Sequence, residues 1–178
     1  MEMHVKNKLP ALLLMWVMLL PSCGYRLTPV GGIVSEDAKT IAIPVFVNGT
    51  NEPNVDMTLT QAVVNEFLTD GRLKIASPDD ADLILRCKVV KFDVTPIAYT
   101  TNTYVQQYNI SISVDARLTE TKSNKVLWQE KNLGSVFTAS YPVTLGDITV
   151  TKIAKQTAMT SASQDLASTI RSRVLEGF

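Results

Sequence analysis

Histidine and cysteine are scarce in this 178-residue chain. The sole histidine, His4, lies near the start, and the two cysteines are Cys23 and Cys87. Without a histidine further along, histidine-based catalytic triads and most zinc sites are excluded from the rest of the chain. No spacing of carboxylates, lysines or serines points to another catalytic mechanism. We therefore expect a protein that is not an enzyme and that holds no metal and no cofactor.

An excess of either charge is also missing. The chain has 17 basic and 17 acidic residues, and 15 and 16 of them lie beyond residue 22, because Lys6, Lys8 and Glu2 precede it. A nucleic-acid-binding surface needs a strong positive field, so we expect no nucleic-acid partner. The longest apolar run, residues 9–20, is shorter than the roughly 20 residues that a membrane-spanning helix requires.

That apolar run belongs to a leader. It follows a short segment with two lysines and ends at Pro21 and Ser22, directly before Cys23, an order typical of a secretory signal peptide. A cysteine after the small residue resembles the bacterial lipobox, in which the leader is cut before the cysteine and the thiol takes up lipid. We predict a cleaved signal peptide at 1–22, acylation of Cys23 and a lipidated tether at 23–40. The alternative is an ordinary leader followed by a free or disulfide-bonded cysteine.

The residue after this cysteine bears on location. An aspartate there would resemble the inner-membrane retention signal of enteric bacteria, but this chain has Gly24. We therefore expect a lipid anchor in the outer membrane, with the body of the protein facing the periplasm. An acylated Cys23 would leave Cys87 unpaired, as a buried strand thiol that behaves as a small hydrophobe.

The body is expected to begin with a strand–helix–strand unit. Residues 41–47 form a compact apolar strand, and Pro44 within it lacks a backbone donor, which favours a position at or near a sheet edge. After the helix, a short strand is predicted at 72–76. Two strands joined through a helix favour a right-handed crossover with those strands parallel.

The helix in this unit has clear ends and one apolar face. Its cap is Asn54, or Thr58 after an irregular turn, and Gly71 ends it in the left-handed conformation. Apolar residues recur at three- and four-residue spacing, and they comprise Val55, Leu59, Ala62, Val63 and Phe67.

A long hairpin follows an acidic turn at 77–82. A solvated turn is favoured there over a calcium loop, because the glycine and the full ligand spacing of such loops are missing. The first strand, 83–95, changes its buried face near Val89–Val90, as a β-bulge does. The second, 104–119, alternates between two faces, and its apolar face comprises Tyr108, Ile110, Ile112, Val114, Ala116 and Leu118. The polar tip, 96–103, is expected to project beyond the helices.

The last part of the chain is predicted as strand, loop and helix. The strand covers 126–137, and the loop covers 138–146. Asp147 then caps a long helix that ends at about Glu176. The apolar residues of this helix include Ile153, Ala154, Ala158, Ala162, Leu166, Ile170 and Val174.

Three stretches of the sequence resemble the LptE family of lipopolysaccharide-assembly lipoproteins. The segment Cys23-Gly24-Tyr25-Arg26-Leu27 is similar to the mature start of that family. Residues 59–75 (LTQAVVNEFLTDGRLKI) look like its first helix and following strand, and residues 107–118 (QYNISISVDARL) look like its long amphipathic strand. None of these is a catalytic signature, so the likeness lies in pattern and in the order of elements.

The resemblance implies a fold and a role. The fold is α/β (α+β), a two-layer sandwich of two helices on a four- to five-stranded mixed sheet with a long projecting hairpin, in a single domain over 41–178. The role is a plug inside the outer-membrane β-barrel LptD that binds lipopolysaccharide and assists its placement in the outer leaflet. The alternative is an auxiliary lipoprotein of a phospholipid-transport system. An anchored envelope hydrolase is disfavoured, because it needs a nucleophile with an activating base, and the chain beyond the leader has no histidine.

The same resemblance directs attention to one end of the molecule. In the family, basic residues near the hairpin tip and in the loop before the last helix are the proposed lipid contacts. This chain has no lysine or arginine in 96–107, and none in 138–151 before Lys152. Aromatic and hydroxyl groups are the expected substitutes, and the candidate contacts with lipopolysaccharide or the barrel are Tyr99, Thr100, Tyr104, Tyr141 and Lys152.

Overall fold

The computed structural model describes residues 33–34, 37–134 and 138–176 of the chain. The elements are β1 (Thr40–Ala42), β2 (Val47–Asn48), α1 (Val55–Asp70), β3 (Lys74–Ile75), β4 (Leu83–Tyr99), β5 (Val105–Glu120), β6 (Val126–Leu133), β7 (Thr138–Pro142) and α2 (Ile148–Glu176). Two helices pack on a mixed sheet, which confirms the predicted fold class. The predicted signal peptide, Cys23 and most of the predicted tether lie outside the described residues.

The described strands form one seven-stranded sheet with the central order β3-β1-β4-β5-β6. β1 is parallel to β3, through the pair Thr40↔Lys74, and parallel to β4, through Ile41↔Leu83. β4, β6 and β7 each pair with β5 in the antiparallel sense. The parallel pairing predicted across the first helix is therefore confirmed, and the sheet has more strands than the four to five expected.

One of the extra strands arises because the predicted strand at 41–47 is split. β1 ends at Ala42, β2 begins at Val47, and both pair in parallel with β4. Pro44 lies between them, outside either strand. A proline has no N–H to donate to a ladder, so the chain leaves the sheet there and returns. The prediction of a continuous strand was wrong, and β1 itself lies inside the sheet, between β3 and β4.

The β4–β5 hairpin dominates the sheet. It pairs from Leu83↔Glu120 to Tyr99↔Val105, and the register shifts between Val89 and Lys91, where the bulge was predicted. β4 contains 17 residues, which at about 3.3 Å per residue span roughly 56 Å. The strand continues to Tyr99, past the predicted end at residue 95, and this brings it right up to the tip.

The core lies between the helices and one face of the sheet. On β5 the even-numbered apolar residues from Ile110 to Leu118 are buried, as predicted. The predicted inward face of α1 is buried as well. On α2 the buried residues are Ala158, Met159, Ala162, Ser163, Leu166, Ala167, Ile170 and Val174. Ile153, the first of the apolar residues named for the predicted helix, does not join this face, since its side chain is 61% exposed.

The second extra strand, β7, was predicted as part of a loop. It pairs with β5 from Ser111↔Thr138 to Gln107↔Pro142. β6, which was predicted to reach residue 137, ends at Leu133. β5 therefore has β6 along one half of its length and β7 along the other.

The helix ends follow the predicted signals in part. Asp147 accepts a hydrogen bond from Val150 N (3.0 Å) through Oδ1, as an N-cap does. Gly71 ends α1 in the left-handed conformation (φ 73°). Asn54 stands at the N-cap of α1 but is left-handed itself (φ 63°) and makes no side-chain capping bond.

The last residues of the predicted tether are held by the body. Backbone N–H groups of Lys39 and Thr40 donate to Asp82 Oδ2 at 3.0 and 3.1 Å, and Thr40 Oγ1 donates to it at 2.9 Å. These bonds lower the pKa of Asp82, with the Lys39 N–H as the largest cause. This carboxylate of the acidic turn thus anchors the start of β1.

Candidate functional site

The hairpin tip is a tight turn closed by three hydrogen bonds. Thr100 N donates to Tyr104 O (2.7 Å), and Thr103 N donates to Thr100 O (3.0 Å). Tyr104 N donates to Thr100 Oγ1 at 3.1 Å. Thr103 adopts a left-handed conformation (φ 69°), as in three-residue hairpin loops that close on a left-handed residue. Thr100, a predicted contact, therefore holds the turn that carries its neighbours.

Large side chains project from this tip. Tyr99 and Tyr104, both predicted contacts, are 54% and 60% exposed, and Ile97 is 51% exposed. A tyrosine presents an apolar ring with a hydroxyl at its end. The tip therefore offers amphipathic rings close to an exposed aliphatic side chain.

β7 brings a second exposed cluster to the same end of the sheet. Pro142 pairs with Gln107, and Val143 N then donates to Gln106 O at 2.8 Å. The chain that leads into α2 thus runs alongside the hairpin just below its tip. Four apolar side chains in the segment between β7 and α2 and in the first turns of α2 are exposed, namely Leu145, Ile148, Val150 and Ile153. We call residues 97–106 and 143–153 together the distal end.

The start of α2 is fixed despite its exposure. Thr144 N donates to Thr151 Oγ1 (3.1 Å), and that hydroxyl donates to Asp147 O (3.1 Å). Lys152, a predicted contact, is exposed on the second turn. Among the residues that the structure describes, no ion pair joins Lys152 to a carboxylate. The distal end therefore combines an apolar cluster with the positive charge of Lys152, which forms no ion pair with the described residues.

Tyr141 lies inside the molecule. Its side chain is 5% exposed and stacks on Tyr108, with ring centroids 5.6 Å apart. Burial, followed by the proximity of Tyr108 and Glu52, raises the pKa of Tyr141. Its position behind the distal end makes it a support for β7, and the structure does not group it with the exposed contacts.

A second surface lies on the side of the sheet opposite the helices, and we call it the open face. It consists of alternate residues of β5 and their partners on β4, and it carries Asn109, Ser111, Asp115, Arg117, Thr119, Thr95, Asp93, Lys91, Lys88 and Arg86. Ser113 belongs to the same row but is 2% exposed. Sequence reasoning predicted the polar alternation of β5. It missed that β4 places its charges opposite that row, because cross-strand register cannot be read from one strand alone.

Cys87 is a free and buried thiol, as predicted, and burial raises its pKa to about 12, so it stays protonated and unreactive. Within residues 33–34, 37–134 and 138–176, no three His, Cys, Asp or Glu side chains are grouped to hold a metal ion. Neither described helix has the length and apolar character needed to cross a membrane.

Comparison with known families identifies the chain. The family model LptE, described as lipopolysaccharide-assembly, matches residues 38–174, which covers nearly every element described above. The chain belongs to the LptE family. This LptE-family assignment confirms the resemblance drawn from the sequence, and the family is a non-enzymatic one that acts in lipopolysaccharide assembly.

Solved structures with this fold share little sequence with the LptE-family chain. Protein XCC0632 from Xanthomonas campestris is 15% identical, covers 84% of this chain and 90% of its own, and has a TM-score of 0.54. The hypothetical protein CT253 from Chlamydia trachomatis is 18% identical over 79% of this chain and 98% of its own, at 0.51. PelC from Paraburkholderia phytofirmans, a dodecamer, is 14% identical over 82% and 93%, at 0.50. At such identities these likenesses show the fold alone. No curated protein matches the chain.

Proposed function

We propose that this protein is an outer-membrane lipoprotein that assembles with an LptD-like β-barrel as a plug and binds lipopolysaccharide on its way to the outer leaflet. The observation that carries this proposal is the LptE match over residues 38–174. Lipopolysaccharide combines acyl chains with phosphorylated sugars, so its handling calls for apolar surface and positive charge in one place.

The distal end supports lipopolysaccharide binding. Tyr99, Tyr104 and Ile97 on the hairpin, together with the exposed aliphatic residues at the start of α2, offer apolar area to acyl chains. Lys152 stands beside that cluster with no ion pair in the described part of the chain, and is available to a phosphate. Thr100 keeps the tyrosines in place through the turn that it closes.

The open face supports the plug role. Its hydroxyl, amide and charged side chains suit the polar lumen of a large outer-membrane barrel. The near balance of 17 basic and 17 acidic residues keeps long-range repulsion between plug and barrel small. Acylation of Cys23 would hold the body at the membrane surface, since each buried methylene contributes about 0.8 kcal/mol.

Binding of purified lipopolysaccharide tests the distal end. In the double variant Tyr99→Ala/Tyr104→Ala we expect affinity to fall about tenfold or more, because each ring buries apolar area worth about 1–2 kcal/mol. Leu68→Ala is the matched control, since the Leu68 side chain is exposed to a similar degree, 61%, but lies on α1. Equal affinity in the double variant and the wild type, with folding intact, would remove the hairpin tip from the site.

Lys152→Glu tests the charged part of the same site. We expect weaker binding of lipopolysaccharide and a reduced dependence of binding on salt, because a phosphate contact is screened by ions. Lys74→Glu on the exposed strand β3 makes the same charge change elsewhere and should leave binding unaltered. An identical loss in both variants would point to overall charge and away from a local contact.

A further inference from the structure

Three cations meet on the part of the open face away from the hairpin tip, and we call them the basic patch. Arg86 on β4 pairs directly with Arg117 on β5, and the next pair along the same face is Lys88↔Asp115. All three cationic side chains are exposed. Directly opposite side chains in an antiparallel pair have Cβ atoms about 4.5–5.5 Å apart, so the two guanidinium groups share one stretch of surface.

The described surroundings leave the basic patch with a net positive charge, since one carboxylate, Asp115, stands among three cations. Arg117 faces the neutral Gln129 of β6 on its other side, and residues 43–46, which flank β4 beside Arg86, are IPVF and carry no charge. The only carboxylate in the two pairs, Asp115, accepts a hydrogen bond from Asn132 N at 3.0 Å. Within the described part of the chain, none of the three cations forms an ion pair. Like charges directly opposite each other destabilise a sheet, so this arrangement is unfavourable for the isolated protein and becomes favourable once an anion covers it.

The shape of the surface selects the kind of anion. The basic patch lies on the exposed side of the sheet, next to the hydroxyl-bearing Thr119 along β5. A single small anion is held best in a concave site. An open sheet face with spaced donors matches another protein surface, and guanidinium groups pair with carboxylates through two parallel N–H···O bonds.

We propose that the open face is the surface with which this protein docks on the inner wall of its barrel partner, and that Arg86 and Arg117 pair there with carboxylates of that wall. The inference rests on the proposed plug function and specifies its interface. It assigns the distal end to the lipid and the open face to the barrel.

The variant Arg86→Glu separates docking from folding. It puts a carboxylate opposite Arg117, so it replaces a repulsive cross-strand pair with an attractive one, and we expect the melting temperature of the protein to stay the same or to rise. In the barrel the new carboxylate faces carboxylates of the wall. Lys74→Glu provides the same charge change on β3, away from the basic patch.

The measurement is the amount of barrel that co-purifies with the full-length, membrane-anchored protein. For Arg86→Glu we expect about a tenfold loss of barrel relative to wild type, a normal yield with Lys74→Glu, and unchanged binding to vesicles of phosphatidylethanolamine and lipopolysaccharide. A normal barrel yield with Arg86→Glu, or an equal loss with Lys74→Glu, overturns the inference while the plug function stands. Loss of vesicle binding with a normal barrel yield also overturns it and names a phosphorylated headgroup as the occupant. If the wild type itself retains no barrel, the plug function fails.

Discussion

Asp70 joins the end of α1 to the end of α2. Its carboxylate accepts hydrogen bonds from Arg72 Nε (2.7 Å) and Nη2 (2.8 Å) and from Arg171 Nη1 (3.2 Å). Arg171 also bonds to Glu66 Oε2 (3.2 Å). The Arg72 hydrogen bond is the main cause that lowers the pKa of Asp70 from 3.8 to about 2.

This lowered pKa predicts a loss of stability in acid. The pKa of Asp70 is lower in the folded protein than in the unfolded chain. The contribution of its carboxylate to the free energy of unfolding is therefore fully present above about pH 4–5 and disappears as the pH falls towards 2. We expect it to be about 1–2 kcal/mol, with the lower figure favoured because the Arg72 side chain is 51% exposed and screened by solvent.

Asp70→Asn tests this contribution. The variant should unfold more easily than wild type at pH 7 in urea titrations, and the difference should shrink below pH 3. Asp165→Asn on the exposed side of α2 removes a carboxylate elsewhere and serves as the control. A stability difference between wild type and Asp70→Asn that is the same at pH 7 and pH 2 would contradict the assignment.

Ser163 places a hydroxyl in the core. It is 0% exposed on α2, and its Oγ has no hydrogen-bond partner within the part of the chain that the structure describes. Ser163→Ala should therefore stabilise the protein by about 1 kcal/mol, from relief of the unsatisfied polar group and from better helix propensity. Ser161→Ala, at an exposed position of the same helix, measures the propensity part alone. A lower midpoint of chemical denaturation for Ser163→Ala than for wild type would count against the unpaired hydroxyl.

At the scale of elements, Gly134 sets how closely the end of β6 approaches the layers around it. Its φ is +100°, and a Cβ there would lie 2.7 Å from Ile112 O and 2.7 Å from Leu166 Cδ1. Gly134→Ala should destabilise the protein by about 2 kcal/mol or more, since it combines an unfavourable backbone conformation with overlap on a backbone oxygen.

The control for Gly134 is Gly71, which has φ +73° and no atom within 4 Å of the position that a Cβ would take. Gly71→Ala should cost only about 1 kcal/mol, the backbone part alone. Equal losses of stability in the two variants would mean that the approach of β6 to α2 tolerates a methyl group.

The elements that the sequence predicted well are those whose own pattern determines them. β5 alternates from Tyr108 to Thr119, α1 repeats its apolar face, and Gly71 and Asp147 mark helix ends by local chemistry. β7 was missed because its five residues, TASYP, contain only Ala139 and Tyr141 as alternating apolar side chains, too short a pattern to distinguish a strand from a loop. The segment forms a strand through its pairing with β5. Residues 41–47 were predicted as one strand because they are uniformly apolar, and the missing donor of Pro44 was assigned to a sheet edge. In the structure the chain leaves the sheet at Pro44.

The candidate site was predictable only in part, for the same reason. The tip tyrosines follow from the position of the turn, and Lys152 follows from its place after the loop. Tyr141 was grouped with them because a tyrosine in a polar loop looks exposed, whereas pairing of β7 with β5 turns it onto Tyr108. The exposure of Ile148 and Ile153 was missed because apolar residues on a helix are ordinarily assigned to its inner face.

At the scale of the whole molecule, the described residues form two surfaces of different chemistry. The distal end offers aromatic and aliphatic side chains beside Lys152, and the open face offers hydroxyls and the basic patch. The long hairpin links them, because β4 and β5 carry the open face along their length and the tip at their end. In the proposed function, the distal end holds the lipid and the open face meets the barrel wall.

The most direct test of the account is what the intact protein retains when it is purified from its native membranes. We expect affinity purification of the full-length, anchored chain in mild detergent to recover a large outer-membrane β-barrel protein in near-equal amount, together with lipopolysaccharide. Recovery of an inner-membrane transporter and phospholipid in place of the barrel, or of the chain alone, would contradict the account.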